Sequence, residues 1–599
     1  MTQPFDPLKA SLSGRTLIEA SAGTGKTYAI ANLYLRLLVE ENLKVEEVLV
    51  VTFTRAATEE LKGRIRRRIV EAAQVFSGGE TRDDFLAGFV AETRDRAEAG
   101  RRLTNALRGF DLAAIFTIHG FCLRLLHNHA FESGSLFDTG LMEDQGAVFQ
   151  EIVNDIWRTN VYPMADDTFS AVVGDINRER LLALVKKCIG NPFLMIDGGC
   201  SHSSPGEPGT GSQPAGETVV TLRRQFIEYA RKETARRKHV ENVRSYDDLL
   251  ADLYRALEGS GGAALAHSIR SRYRAALVDE FQDTDPLQYE IFKIIYGRGD
   301  GTLFLIGDPK QSIYSFRGAD IFSYMRAAND VDRQYTLDKN WRSTAGLLKA
   351  VNAIFAKGDR PFVFESVPFW PVEPGRTDNG VELTVDNVPD PAPFKLWFIG
   401  RDGGRKHVPK GAARSRVGRA VADEIVKLLT LGTEGRARIH GRPLHAGDMA
   451  ILVPTNWEAR EMQKALKEAR VPCVVYSTES IFGSGEAEEL ERLMAAILEP
   501  ADDARVKAAL ATDLMGLSGD DLALLGELES AVDRAFGLRE HGTVCRTTAA
   551  PHGTAAAMHE GQIDVVLARP RGDALLRQVQ HDGRGGGAGV LGRVGIAQH

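Results

Sequence analysis

The sequence has little cysteine. Five stand in 599 residues, at Cys122, Cys188, Cys200, Cys473 and Cys545, odd in number, widely spaced and with no CxxC pair. That pattern argues against a disulfide framework, a zinc site or an iron–sulfur cluster, and the five read as small buried hydrophobes. Long apolar runs are also missing: none reaches the roughly 18 residues that a membrane span needs. The N-terminal stretch from Met1 to Ala10 carries Asp6, Pro4 and Pro7 and no apolar core of the secretory kind. The expectation is a cytoplasmic protein with no membrane contact. A strong charge of one sign is absent too. The net charge is −7, so any basic surface has to be local. Lys62–Arg68 and Arg231–Lys238 are such local runs, and each by itself also reads as a solvated helix face. What remains, 43% hydrophobic and 26% charged residues, is ordinary globular composition, and the length suggests several domains.

The chain then shows its organisation. Thr16-Leu17-Ile18-Glu19 is a short apolar strand, followed by a glycine-bearing loop from Ala20 to Lys26. After it Ile30, Leu33, Tyr34 and Leu37 recur at helical spacing. Val48–Phe53, Ala114–Ile118, Ala275–Val278 and Thr302–Ile306 are continuous apolar runs of the kind buried parallel strands need. Strands alternating with helices predict an α/β sheet covered on both faces. Between Gly134 and Tyr246 the pattern turns mostly helical, interrupted by the Gly/Ser/Pro-rich stretch 198–217, which reads as a flexible loop. A second α/β pattern follows from Ser343, with Phe394–Ile399, Met449–Val453 and Cys473–Tyr476 as strands. Helices are predicted around Val417–Leu428 and over Ala459–Ala469. From His541 onward apolar periodicity fades.

One loop carries explicit chemistry. Ala20-Ser21-Ala22-Gly23-Thr24-Gly25-Lys26-Thr27 is a phosphate-binding loop with alanine in the first glycine place. Its glycines let backbone N–H groups curl around phosphate oxygens, and the following helix adds its positive end. Lys26 brings a point charge to the β/γ phosphates, and Thr27 a hydroxyl to Mg²⁺. Asp279 and Glu280 stand at the end of an apolar strand, where Asp279 would hold the Mg²⁺ and Glu280 would deprotonate an attacking water. Gln311, after another strand end, is placed to sense the γ-phosphate, and Arg342 to stabilise its charge in the transition state. Trp341 could stack on adenine. The cofactors read from these residues are ATP and Mg²⁺.

These elements and their order resemble the UvrD/RecB group of superfamily 1 helicases. The stretches that carry the resemblance are IEASAGTGKT (18–27), VTFTRAATEELKGRI (51–65), FTIHGFC (116–122), VDEFQDTD (278–285), LIGDPKQSIYSFRGAD (305–320) and LDKNWRST (337–344), which look like motifs I, Ia, Ib, II, III and IV. Their wording is nearer the RecB side of the group than the UvrD side, and a weaker match continues to about residue 535. The resemblance implies two RecA-like P-loop domains, 1A and 2A, with inserted subdomains 1B and 2B. Domain 1A would occupy 1–135 and 241–345, a helical 1B 136–240, a partial 2A 346–505, and the start of 2B 506–540. Residues 541–599 would form an aberrant or disordered tail. It also implies ATP-driven translocation along one DNA strand with 3′-to-5′ polarity, and partner subunits of the RecC and RecD kinds. Carried over by motif, Thr52, Phe53, Thr54, Arg55, His119, Tyr314, Phe316 and Arg317 would line the DNA path. Aromatic faces there would stack on bases, while hydroxyls and cations hold phosphates.

The sequence also departs from that group. The segments expected as motifs V and VI are not found after residue 500, nor is a nuclease domain with metal-binding carboxylates. The expectation is a motor that stops before its second domain closes. Two behaviours follow: an ATP-dependent DNA helicase subunit of a recombination and repair complex, or a truncated fragment that binds ATP and DNA with little turnover. A P-loop kinase or signalling ATPase would need no DNA path, and the motif Ia, Ib and III stretches argue against it.

Overall fold

The computed structural model describes residues 3–129, 140–142, 144–164, 169, 177–189, 215–297, 301–313, 320–358, 360–375, 383–400, 407–476, 481–524 and 563–567. Contacts divide the chain into two compact units. The first runs over Met1–Glu382 and takes in Asp390–Trp397; the second holds Leu383–Pro389 and Phe398–Arg569.

The first unit is built on β1 (Gln3–Pro4), β2 (Arg15–Ala20), α1 (Lys26–Val39), β3 (Val48–Thr52), α2 (Arg55–Phe76), α3 (Asp84–Glu92), α4 (Arg96–Arg108), β4 (Ile115–Thr117) and α5 (Ile118–Asn128). After an insertion it resumes with α9 (Tyr246–Glu258), α10 (Gly262–Arg272), β5 (Ala275–Val278), α11 (Pro286–Tyr296), β6 (Thr302–Gly307), α12 (Ile321–Asp330) and β7 (Arg333–Leu337). The strands form one parallel sheet in the order β1-β7-β2-β6-β5-β3-β4. Side chains alternate across it, which is why these strands read as unbroken apolar runs. Ile18, Val50, Leu277 and Phe304 join the core under α1–α4, while Leu17, Leu49, Ala276 and Leu305 join the core under α5 and α9–α11. Each fully buried aliphatic side chain contributes about 1.5–3 kcal/mol, so the two layers lock the register of the sheet.

Helix starts are set by local chemistry. The Thr54 hydroxyl accepts from Ala57 N at the head of α2, and the Asp285 carboxylate accepts from Gln288 N at the head of α11, whose first residue is Pro286. Such caps are worth about 1 kcal/mol each. Because the sheet is parallel, these starts gather at the carboxyl ends of the strands, the edge where α/β folds bind ligands.

The insertion carries α6 (Gly146–Ile156), α7 (Arg178–Ile189) and α8 (Ala215–Val240), packed through Phe149, Ile152, Leu181, Val185, Phe226 and Ala230. Of the expected loop over 198–217, residues 198–214 lie outside the described residues, and α8 opens at Ala215.

The first unit continues past residue 345, where the sequence pattern places a boundary. It keeps β8 (Lys339–Asn340), α13 (Ala345–Phe355) and β9 (Glu373–Pro374), with β8 and β9 paired in parallel.

The second unit contains α14 (Lys410–Thr433), β10 (Ala450–Val453), α15 (Asn456–Glu468), β11 (Cys473–Tyr476), α16 (Gly485–Leu498), α17 (Asp503–Leu510) and β12 (Ile563–Leu567). Its three-stranded parallel sheet has the order β10-β12-β11. The strand predicted over Phe394–Ile399 does not form. Among the described residues the stretch holds only an isolated bridge at Leu396, and Leu396 and Phe398 are exposed. Apolar character alone does not make a strand without a neighbour to take its backbone hydrogen bonds. Within the described residues no helix is long and apolar enough to cross a membrane.

Candidate nucleotide site and nucleic-acid path

Strand β2 ends at Ala20, and the chain turns through Ser21–Gly25 before α1 begins at Lys26. The turn depends on its glycines. Gly25 has φ 96° and Gly23 φ 79°, conformations in which a Cβ is strained. Space forbids one as well: a Cβ on Gly23 would stand 2.8 Å from both Arg342 Cβ and Asn340 Nδ2. Inside the loop, Thr24 is buried and its hydroxyl donates to Ser21 O at 2.7 Å.

Lys26 reaches across the strand ends to the acidic pair. Its Nζ lies 2.5 Å from Glu280 Oε2. Asp279 closes β5: its backbone N donates to Val51 O at 2.8 Å, and its carboxylate accepts from Glu280 N at 2.9 Å. Glu280 adopts φ 51°, ψ 43°, a left-handed conformation that a non-glycine residue holds only when its surroundings enforce it.

The end of β6 completes this edge. Gln311 Nε2 donates to Asp308 Oδ2 at 2.7 Å, so the expected γ-phosphate sensor is held beside the acidic pair's neighbours. Lys310 bridges Glu19 at 2.5 Å and Asp308 at 2.9 Å. Burial works against the Lys310 charge, but the two carboxylates outweigh it and hold its pKa above the ordinary lysine value. The bridge ties the strand before the phosphate loop to the strand before Gln311, and the sequence reading did not foresee it. Only the pairing of Glu19 with Gly307 across β2 and β6 brings these residues together.

Trp341 and Arg342 belong to the same compact unit as the loop. Trp341 N donates to Gly23 O at 2.9 Å. Asn340, also unassigned from sequence, is buried. It donates from Nδ2 to Ala22 O at 2.8 Å, while its Oδ1 accepts from Arg342 N and Ser343 N. The indole of Trp341 lies over Gly375 and is 50% exposed, leaving a free face near Gly25.

The oxygen donors present, the Thr27 hydroxyl and the Asp279 and Glu280 carboxylates, suit Mg²⁺, a hard cation that keeps water and substrate phosphate oxygens in its shell. Among the described residues no group of three or more His, Cys, Asp or Glu gathers to hold a metal. A site completed by phosphate needs none.

The residues expected along a DNA path are placed unevenly. Thr52 is 2% exposed at the end of β3, and its hydroxyl has no hydrogen-bond partner. It ends a strand covered on both faces. Phe53 is half-buried, the hydroxyl of Thr54 is committed to capping α2, and Arg55 is exposed. His119 opens α5 with its ring 5.3 Å from Tyr246, edge to face. Tyr314, Phe316 and Arg317 lie outside the described residues.

Burial pushes the His119 imidazole down to about 4, from an ordinary value of 6.5. It is therefore uncharged at neutral pH. The unfolded chain takes up this proton more readily than the folded one. Stability from this residue is thus intact above pH 6.5 and lost as the pH falls toward 4. His119→Gln is expected to soften that acid loss, read as a smaller drop in melting temperature between neutral and acid buffer. It is also expected to leave the salt dependence of single-strand binding unchanged, because no cation is removed.

Comparison with known proteins agrees with this geometry. Residues 2–332 match the UvrD/REP helicase N-terminal domain, and residues 335–532 the UvrD-like helicase C-terminal domain. The chain is 34% identical over 641 residues to the RecBCD enzyme subunit RecB of Escherichia coli K12, covering 89% of this chain and 54% of that protein. It is 33% identical over 576 residues to the RecB subunit of Mycobacterium tuberculosis H37Rv, covering 94% and 49%. The RecB subunit of Haemophilus influenzae is 30% identical over 676 residues, at 88% and 55%. The chain thus spans about half the length of the curated relatives it matches.

Ile563–Leu567 forms the middle strand of the second unit's parallel sheet. Its sequence, IDVVL, is a short β-branched run, too brief to stand out by periodicity amid the Gly, Ala and His around it.

Proposed function

The chain belongs to the UvrD-like helicase family, and on that premise we propose that it is an ATP-driven DNA motor of a RecBCD-type repair and recombination complex. It translocates 3′ to 5′ along a single strand, with RecC-like and RecD-like subunits as partners. The observation that carries this reading is the 2.5 Å contact between Lys26 and Glu280 at the carboxyl edge of one parallel sheet. It puts a phosphate-seeking cation and a candidate base on one spot, drawn from positions far apart in the chain.

Each residue then has a role set by its place. The backbone N–H groups of Ala22–Thr27 and the N-terminus of α1 receive the phosphates of ATP. Lys26 exchanges its carboxylate partner for the β/γ oxygens. Thr27 and Asp279 hold Mg²⁺, which when bound offsets charge on the phosphate oxygens. Glu280 aligns a water for in-line attack and takes its proton. Gln311 and Arg342 face the γ-phosphate, and the free face of Trp341 receives adenine. Phe53, Arg55 and His119, on the same edge of the sheet, offer stacking faces and a cation to a single strand, with Tyr314, Phe316 and Arg317 assigned there by motif.

The test is ATP hydrolysis by the purified chain with and without single-stranded DNA. Stimulation by DNA is expected. Nucleotide binding without DNA-stimulated turnover would favour the binding-fragment reading instead. Trp341→Ala is expected to raise KM for ATP about 3- to 10-fold with kcat unchanged, the value of one lost aromatic stack. A fall in kcat at unchanged KM would remove Trp341 from the adenine site.

A further inference from the structure

Gln282 sits two residues beyond Glu280 in the stretch DEFQD and has no role in the reading above. Its side chain is 2% exposed and lodged between the ends of β5 and β6. Nε2 donates to Glu280 Oε2 at 2.8 Å. Oε1 accepts from Asp308 N at 2.9 Å, and its own carbonyl accepts from Ser312 Oγ at 3.2 Å. The slot is built around it: a Cβ on Gly307 would stand 2.6 Å from Gln282 Oε1.

We propose that Gln282 is a positioning residue for hydrolysis, the fixed donor that holds the Glu280 carboxylate in its working orientation while Lys26 is engaged by phosphate. The inference rests on Glu280 acting as the base. One oxygen, Oε2, accepts from both Lys26 and Gln282. When Lys26 turns to the nucleotide, that oxygen loses its cation and keeps the amide. Without the amide the carboxylate, already on a left-handed backbone, is free to rotate away from the water it must activate. Because Oε2 is tethered, Oε1 is the oxygen presented to water. The opposite end of the amide accepts from the backbone N of Asp308, whose carboxylate oxygen Oδ2 holds Gln311. One side chain thus spaces the base against the γ-phosphate sensor.

Two variants separate this role from packing. Gln282→Glu keeps the acceptor for Asp308 N and replaces the donor with a second carboxylate facing Glu280. Gln282→Met removes both hydrogen bonds at similar volume. Both are expected to lower kcat for DNA-stimulated ATP hydrolysis about 10- to 100-fold, a part of what a general base contributes, with KM for ATP and binding of a non-hydrolysable analogue within about twofold. In a Glu280→Gln background neither variant should lower kcat further. A kcat within about twofold of the unaltered chain for both variants, or losses that simply multiply with that of Glu280→Gln, overturns the proposal. If Glu280→Gln itself hydrolyses ATP normally, or the unaltered chain does not turn over, the proposed function fails first and this inference with it.

Discussion

Lys26→Ala is expected to abolish DNA-stimulated ATP hydrolysis and to remove detectable nucleotide binding. Lys26 stands at the first turn of α1, where loop, helix terminus and acidic pair converge. A single preorganised donor aimed at developing charge is worth about 10²–10³ in kcat, and loss of its ground-state contact with the phosphates adds to KM. The combined fall in kcat/KM is expected to reach about 10³-fold or more, equivalent to ~4 kcal/mol. The nucleotide-free chain should barely notice the change. The Glu280 side chain is 36% exposed, so the screened Lys26–Glu280 pair is worth at most about 1 kcal/mol of stability. Equilibrium binding of a fluorescent ATP analogue, together with a thermal melt, checks both halves. A variant that melts normally and still binds ATP would remove the loop from the function.

Glu280→Gln is the complementary case. Binding of ATP is expected to survive, since the loop, Lys26 and the Asn340 tether are untouched, while turnover falls by about 10²–10⁴, the contribution of a general base. The amide keeps the size of the carboxylate but cannot take a proton from water. It also accepts less strongly from Lys26 than a carboxylate does, which frees that cation for phosphate. Single-turnover hydrolysis with pre-bound ATP separates this from a binding defect. Near-normal turnover would move the base elsewhere and remove the ground for a role of Gln282. The two variants therefore fail in different observables, binding for Lys26 and chemistry for Glu280.

Much of this site was legible before any coordinates. The phosphate loop announces itself because its glycines, lysine and threonine each answer a separate physical need, and an apolar strand and a periodic helix flank it. Asp279-Glu280 gains meaning from the buried run Ala275–Val278 before it. The interior strands of the first sheet were readable because each lies between two helix layers and must be apolar on both faces. Thr52 shows the limit: its motif position says nothing of burial, and strand alternation turns its hydroxyl inward. Phe394–Ile399 shows another, since its residues suit a strand but only an isolated bridge at Leu396 forms there.

The sequence by itself determined which residues bear the chemistry, because phosphate binding and strand burial each demand particular residue types at short spacing. Only the tertiary structure decided which of them meet. Lys26 on Glu280, Lys310 between Glu19 and Asp308, Asn340 on the phosphate loop, and Gln282 joining the ends of β5 and β6 all depend on strand order and register. Those are fixed by packing between residues as many as 318 positions apart, and no local pattern records them.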